Sequence, residues 1–560
     1  MPHRIATCTV FVFTAVVCAA QTPSNNLDLI SRFGCVNCHT DLEMDSDLND
    51  LLPNLSYAGL RYQSSYLFDF VQNPTRYRKH IGPARMPDFK LSDAEALALA
   101  LYLEQQNQLP ASWPMYPSSI LRTTSSDESR SEILEIEDQT CLSCHTRDNR
   151  GGAFAVDLTT VGHRLQSDWV RMYLAAPILF DVPPTTMLEV FYSYSSGRFI
   201  PLLSSPAKKI SQITDRLFAW GNDSLAILST KLDSVRTRYP DVTSDDGERI
   251  FRTLNCVACH NHNTISEPGE ALAPILTGEL RRVSQSWLDA YIASPYALRP
   301  FGFLSHTGTR MPDFQISSQI AWNLAEELVH QTIPSPGMPW IKTAPQKITA
   351  FSMDKAQTLL KEKLSCLGCH RIGVEGGRIG PDLSHLNQRL QPLYVINQIL
   401  EPQQVSGSPV MPKIVLYDKT LRLISNYLYQ QDSTAVDSTY LNLLDVTPIV
   451  ISNPQTAEET YLRFCAMCHG VTGDGDGYNA AYLPKKPTVH SDSTAISIRP
   501  DDTLFDGIFA GAYILNKDPY MPPWGFTLTR HQISALVSHI RTLSRSQGPE
   551  WSRDDKPVRE

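Results

Sequence analysis

Cysteine is scarce outside one pattern. Of the twelve in the chain, Cys8 and Cys18 lie near the start, and the other ten all fall in five copies of Cys-x-x-Cys-His. No thiol is left over for an ordinary structural disulfide. Long apolar runs are also missing after the first, Ile5 to Val17, and no later stretch is long or apolar enough to cross a bilayer. Positive charge is not in excess. The net charge of −9 argues against nucleic acid or an acidic membrane surface as the main partner. There is no dinucleotide fingerprint and no copper-type ligand cluster, so the repeated motif alone is left to carry cofactor chemistry.

The first twenty residues read as a secretory signal. Arg4 is the only charge, the apolar run follows, and Cys18-Ala19-Ala20 offers small residues for cleavage before Gln21. Residues 1–20 are therefore assigned as a signal peptide, and the mature protein is expected to be exported to the periplasm or cell surface. Ten thiols in an oxidising compartment with no disulfide to form must be consumed by something else.

The motifs are Cys35-Val-Asn-Cys38-His39, Cys141-Leu-Ser-Cys144-His145, Cys256-Val-Ala-Cys259-His260, Cys366-Leu-Gly-Cys369-His370 and Cys465-Ala-Met-Cys468-His469. Their first cysteines are 106, 115, 110 and 99 residues apart, about one small domain per motif. A structural zinc site needs four ligands, usually from two half-sites, and each repeat supplies only one. A thioredoxin-like dithiol calls for a βαβ setting, whereas the surrounding periodicity is helical. Covalent haem satisfies the pattern. Two thiols add to the two vinyl groups of one porphyrin, and the next histidine reaches the iron.

A second repeat follows the first four motifs. Leu55, Leu158, Leu276 and Leu383 are each followed at fixed spacing by an arginine (Arg61, Arg164, Arg282, Arg389). An aromatic comes next (Tyr66, Trp169, Trp287, Tyr394), then a proline (Pro74, Pro177, Pro295, Pro402). These four units are copies of one domain, and the fifth is divergent. Helical runs lead into the motifs, as in Ser352–Lys363 and Ala457–Phe464, and others close the units, as in Ser92–Glu104 and Thr529–Arg541. The expected architecture is all-α, with five small tandem domains at 24–108, 127–235, 243–332, 350–431 and 454–546.

A methionine follows each motif histidine by 47, 42, 51, 41 and 52 residues: Met86, Met187, Met311, Met411 and Met521. All but Met187 precede a proline, which stiffens the loop. The units resemble class I c-type cytochrome domains, with Cys-x-x-Cys-His early and a Met-Pro loop late. Unit five, with Tyr520-Met-Pro-Pro-Trp524, resembles the widespread single-domain form most closely. The resemblance implies five covalent haems c with His/Met ligation. It also implies propionate pairing by the four arginines, and a carbonyl at Pro53, Pro274 and Pro381 (Val156 in unit two) that holds the axial histidine's second nitrogen.

A rival ligand set uses His80, His163, His306, His385 and His490, which occupy unrelated places in their units. In unit two Met172 and His163 compete with Met187, so an open iron face would be there. The function expected is relay of single electrons between redox proteins, with a membrane-associated respiratory complex as a possible setting. The alternatives are a haem enzyme or enzyme subunit with an open face at haem 2, which reduces a peroxide or nitrogen oxide or serves a dehydrogenase, and a strand of a larger conducting assembly.

Overall fold

The computed structural model describes residues 54–74, 86–109, 116, 140–152, 155–180, 187–258, 276, 279–298, 310–330, 345–405, 410–431, 440, 442–445, 451 and 453–547. The fold is mostly helical. Strands among the described residues are limited to three short antiparallel hairpins, at 146–151, 192–201 and 371–376. None of the helices described is long and apolar enough to cross a membrane.

Helix boundaries follow local chemistry. Asp93–Glu104 opens with a capping box between Ser92 and Glu95, and its run of Ala and Leu suits a helix buried all round. Thr456 and Glu459 cap Ala457–Phe464 in the same way, and Thr529 and Gln532 cap Arg530–Ser544.

Units four and five each build a core from a leading helix laid against a closing helix. In unit four, Ala356 and Leu360 of Ala350–Glu362 meet Ile424, Tyr427 and Leu428 of Asp418–Leu428. In unit five, Tyr461 and Cys465 share a core with Ile533, Leu536, Val537 and Ile540.

Units one to three depart from that plan. The closing helix of unit two, Pro206–Arg238, is 33 residues long, roughly 50 Å at the usual rise. Ile210, Ile213 and Leu217 sit in unit two's own core, while Leu232 and Val235 are buried in that of unit one. The next helix, Ser244–Thr253, leads into motif three, yet it packs on Asp93–Glu104, the closing helix of unit one. Phe251 meets Tyr102 at 5.2 Å between ring centroids. A side chain on Gly247 would put its Cβ 2.0 Å from the Ala98 carbonyl oxygen, so only glycine permits the crossing. The expected boundary at 243 therefore divides the sequence repeat but not the packed body.

Units contact one another through repeated devices. Tyr62 and Leu165 form an antiparallel bridge in which Gln63 N–H donates to Arg164 O (2.9 Å) and Gln166 N–H to Arg61 O (3.0 Å). Units three and four repeat it with Val283 and Leu390: Ser284 N–H donates to Arg389 O and Gln391 N–H to Arg282 O, both at 2.8 Å. The Met-Pro-Asp-Phe loops of units one and three also pair, with Asp88 and Asp313 exchanging two backbone hydrogen bonds of 2.8 Å. Unit five meets unit four through Asn479. The units thus touch in the order two, one, three, four, five.

The contact between the Met-Pro loops is fastened by a buried ion pair. Arg310 and Glu95 are 5% and 1% exposed. Arg310 donates to Glu95 (2.5 Å) and to the carbonyls of Phe89 and Lys90, and Glu95 also accepts from Leu443 N–H at 2.7 Å. Replacing one member of a buried pair strands the other, at a cost of about 3–5 kcal/mol. Arg310→Met is expected to lower stability by that order in denaturant unfolding. A loss below about 1 kcal/mol would contradict a pair that is desolvated in solution.

Candidate cofactor sites

Each described motif closes one helical turn. His145 N–H donates to Cys141 O at 3.0 Å, His370 to Cys366 O at 2.8 Å and His469 to Cys465 O at 2.9 Å. Residues three apart on a turn share a face, so the two thiols of a motif are presented together. None of the seven described motif cysteines forms a disulfide. Burial pushes the Cys366 thiol up to about 11, and burial beside Cys468 pushes Cys465 up to about 12. These are neutral thiols in apolar surroundings, unlike a nucleophilic thiolate. Among the described residues no three His, Cys, Asp or Glu side chains converge on a metal position.

Each described motif histidine is oriented by a backbone carbonyl. The Nδ1 of His145 lies 2.7 Å from Val156 O, that of His370 2.8 Å from Pro381 O, and that of His469 2.9 Å from Thr488 O. The ring N–H donates in each contact, which makes Nε2 the lone-pair nitrogen for a metal. Burial holds His145 and His469 below the usual imidazole pKa, keeping the neutral, metal-binding form. Val156 and Pro381 are the carbonyls expected from the sequence, and Thr488 does the same job in unit five. Cys35, Cys38, His39, Cys259, His260, Pro53, Pro274, His80 and His306 lie outside the described residues.

The five methionines are half-buried. Met187 packs against the core of unit two and Met521 against that of unit five. Gln398 Nε2 is 3.7 Å from the Met411 sulfur. Met86 and Met311 flank the Asp88–Asp313 bridge.

Two rival ligands have other uses. Met172 is buried between Tyr57 and Trp169 where units one and two meet. His490 stacks on His469, with centroids 4.1 Å apart and planes 12° from parallel, and Tyr461 OH lies 3.0 Å from its Nδ1. Two rings stacked face to face at this distance would leave no room for a metal between their nitrogens. As placed, His490 would not share a metal with His469; it packs against that ring and against Tyr461.

The repeated arginines lie at the contacts between units. Arg61 is 5.4 Å from the Trp169 ring and its buried Nε has no hydrogen-bond partner. Arg389 is 5.9 Å from the Trp287 ring; burial and the neighbouring Arg282 lower its pKa, and no carboxylate accompanies it among the described residues. Arg282 is paired with Glu279 and with Tyr394. Arg164 lies close enough to His145 to lower that ring's pKa. A buried guanidinium without a carboxylate calls for an anion, and haem propionates are anions. The donor set therefore fits covalent haem.

Sequence reasoning missed the devices between units. Arg-x-Gln recurs as Arg61-Tyr-Gln63, Arg164-Leu-Gln166 and Arg389-Leu-Gln391, with Ser284 in the fourth place. That was a readable signal for the strand bridge. Asn479 carried none. It is fully buried, donates to Gly368 O (2.7 Å) within motif four, accepts from Arg378 N–H (2.8 Å), and sits 3.3 Å from the Cys468 sulfur. Cys369, Ile379 and Val410 of unit four pack into the core of unit five. A Cβ on Gly368 would fall 1.9 Å from Tyr520 O, beside Met521. Motifs four and five are thus in direct contact.

Residues 29–107 match the family model for cytochrome c, and residues 452–540 match that for subunit III of cbb3-type cytochrome c oxidase. These stretches are cytochrome c domains. Such domains carry covalently bound haem c and transfer electrons. No curated protein and no solved structure matches the chain. The C-terminal cytochrome domain is the stretch that Asn479 joins to unit four. Asn479→Ala would leave Gly368 O and Arg378 N–H buried without that partner, costing about 1–3 kcal/mol. Denaturant unfolding followed at the haem absorption should show the loss, and an unchanged midpoint would mean that this contact does not form in solution.

Proposed function

We propose that the chain is an exported pentahaem cytochrome that relays single electrons between redox proteins, each iron held by a motif histidine and the downstream methionine. The observation that carries this reading is the contact between motifs four and five, where Cys369 and Cys468 share one apolar core. A set of independent carriers has no need of such a junction. Bound haem supplies the one-electron couple, and methionine ligation raises its potential relative to two histidines. The chain supplies the two thiols, an oriented imidazole, a thioether on a proline-stiffened loop and a buried arginine. The contacts between units support a relay that runs two, one, three, four, five, with unit two at one end and unit five at the other. The family match at unit five supports a membrane-associated respiratory complex as the partner at that end.

Intact mass is expected to exceed that of the chain from Gln21 by five haems, with the protein in the exported fraction of fractionated cells. Fewer than five would sink the count. For ligation, Met521→Ala should give one high-spin iron that binds carbon monoxide, whereas His490→Phe should leave every iron low-spin. The reverse result would favour bis-histidine ligation. Carbon monoxide binding by the unaltered protein would point to the reductase alternative.

A further inference from the structure

We propose that haems four and five form one adjoining pair, held thioether edge to thioether edge, with Asn479 as the positioning residue shared by both edges. The proposal rests on the covalent-haem reading above and deepens it. Asn479 lies in the short 3-10 helix Tyr478–Tyr482 and is fully buried. Its amide nitrogen donates to Gly368 O at 2.7 Å, between the two cysteines of motif four, and lies 3.3 Å from the Cys468 sulfur of motif five. Its carbonyl accepts from Arg378 N–H at 2.8 Å. Both ends of the amide are thus engaged, and a thioether sulfur is still an acceptor, though a weak one. An apolar side chain could fill this position with no polar group to desolvate. The amide instead ties a carbonyl of one motif turn to a sulfur of the other.

The rest of the joint is built from the same segments that would carry the cofactors. Gly377 has no room for a side chain, because a Cβ would lie 2.4 Å from Gly368 O and 2.8 Å from the Asn479 carbonyl oxygen. Tyr520 O rests on Gly368, which brings the Met521 loop onto motif four. In return Lys413 N–H, just after Met411, donates to Thr527 Oγ1 of unit five at 3.0 Å. Cys369 and Cys468 pack against one core, whose members include Ile379, Ala466 and Met467. With each thiol bonded to its porphyrin, the attached edge of each ring begins at that shared core. Charge gained by one haem is then felt by the other, because an apolar layer screens poorly.

Asn479→Asp tests the pairing through redox potentials. The two side chains are close in size, and a carboxylate favours the ferric, more positive state of any haem beside it. The full-length holoprotein is titrated at about pH 9, where a carboxyl raised by burial is ionised. Two midpoint potentials should fall together while the others stay in place. One shifted potential, or none, overturns the pair and leaves Asn479 a structural residue. Identity follows from opening one iron at a time. In Met411→Ala and in Met521→Ala, the iron that binds carbon monoxide should be one of the two that Asn479→Asp shifts. An opened iron that does not shift overturns the pair with methionine ligation intact. If neither substitution opens an iron, methionine ligation fails, and the number of shifted potentials still decides the pair. The haem count is read separately, from intact mass. Arg378→Gln covers the case in which Asn479→Asp does not accumulate. It removes a cation from the same joint, where the guanidinium lies 4.4 Å from the Tyr482 ring. At low salt, where screening is weak, it should lower two potentials together, and a shift of one or none overturns the pair.

Discussion

A leading helix laid across a closing helix is the contact on which this architecture depends. It brings a cysteine turn to the edge of a core and leaves the histidine behind it for a backbone carbonyl to orient. The crossing is steric before it is hydrophobic: at Gly247 there is no room for even a methyl group beneath the Ala98 carbonyl. Once the helices are seated, burial does the rest. It raises the thiols of Cys366 and Cys465 and lowers the pKa of the His469 imidazole and of Arg389, beside which no carboxylate stands among the described residues. Those are the conditions for thioether formation, metal binding and propionate pairing, and they all follow from one packing event per core.

The junctions between units obey a different economy. Exposed ion pairs such as Arg238–Asp93 contribute little in water. The junctions lean instead on backbone hydrogen bonds that are reciprocal, as at Tyr62–Leu165, Val283–Leu390 and Asp88–Asp313. Each of these three uses the same segment from two units, so one duplicated sequence supplies both halves of its own joint. The arginine and aromatic positions also serve these joints, which gives their fixed spacing a cause beyond cofactor binding.

The local chemistry was legible in the sequence because it is local. Motif spacing, helix caps and the carbonyls of Val156 and Pro381 depend on residues within a dozen places of one another, and the structure has them as read. The pairing of bodies was not legible. The described leading helices all offer an apolar stripe, so nothing in Ser244–Thr253 announces that its partner is Asp93–Glu104 and not Ser318–His330. Only the absolute fit of Gly247 on Ala98 and Phe251 on Tyr102 separates the two, and that fit exists only in three dimensions. Asn479 escaped for the same reason: a single buried amide has no periodicity.

The crossed helix also sets a timetable. A chain emerges from its N-terminus, and domains ordinarily fold in that order. The closing helix Asp93–Glu104 appears early, but the segment that covers Ala98 and Tyr102 arrives only after all of unit two has been made. Until then that face of an almost wholly apolar helix lacks the cover of Gly247 and Phe251. The long helix Pro206–Arg238 works as the delivery arm: its last turns dock Leu232 and Val235 on unit one and place Ser244–Thr253 where it must land. The first core to be started is sealed only after the second is complete.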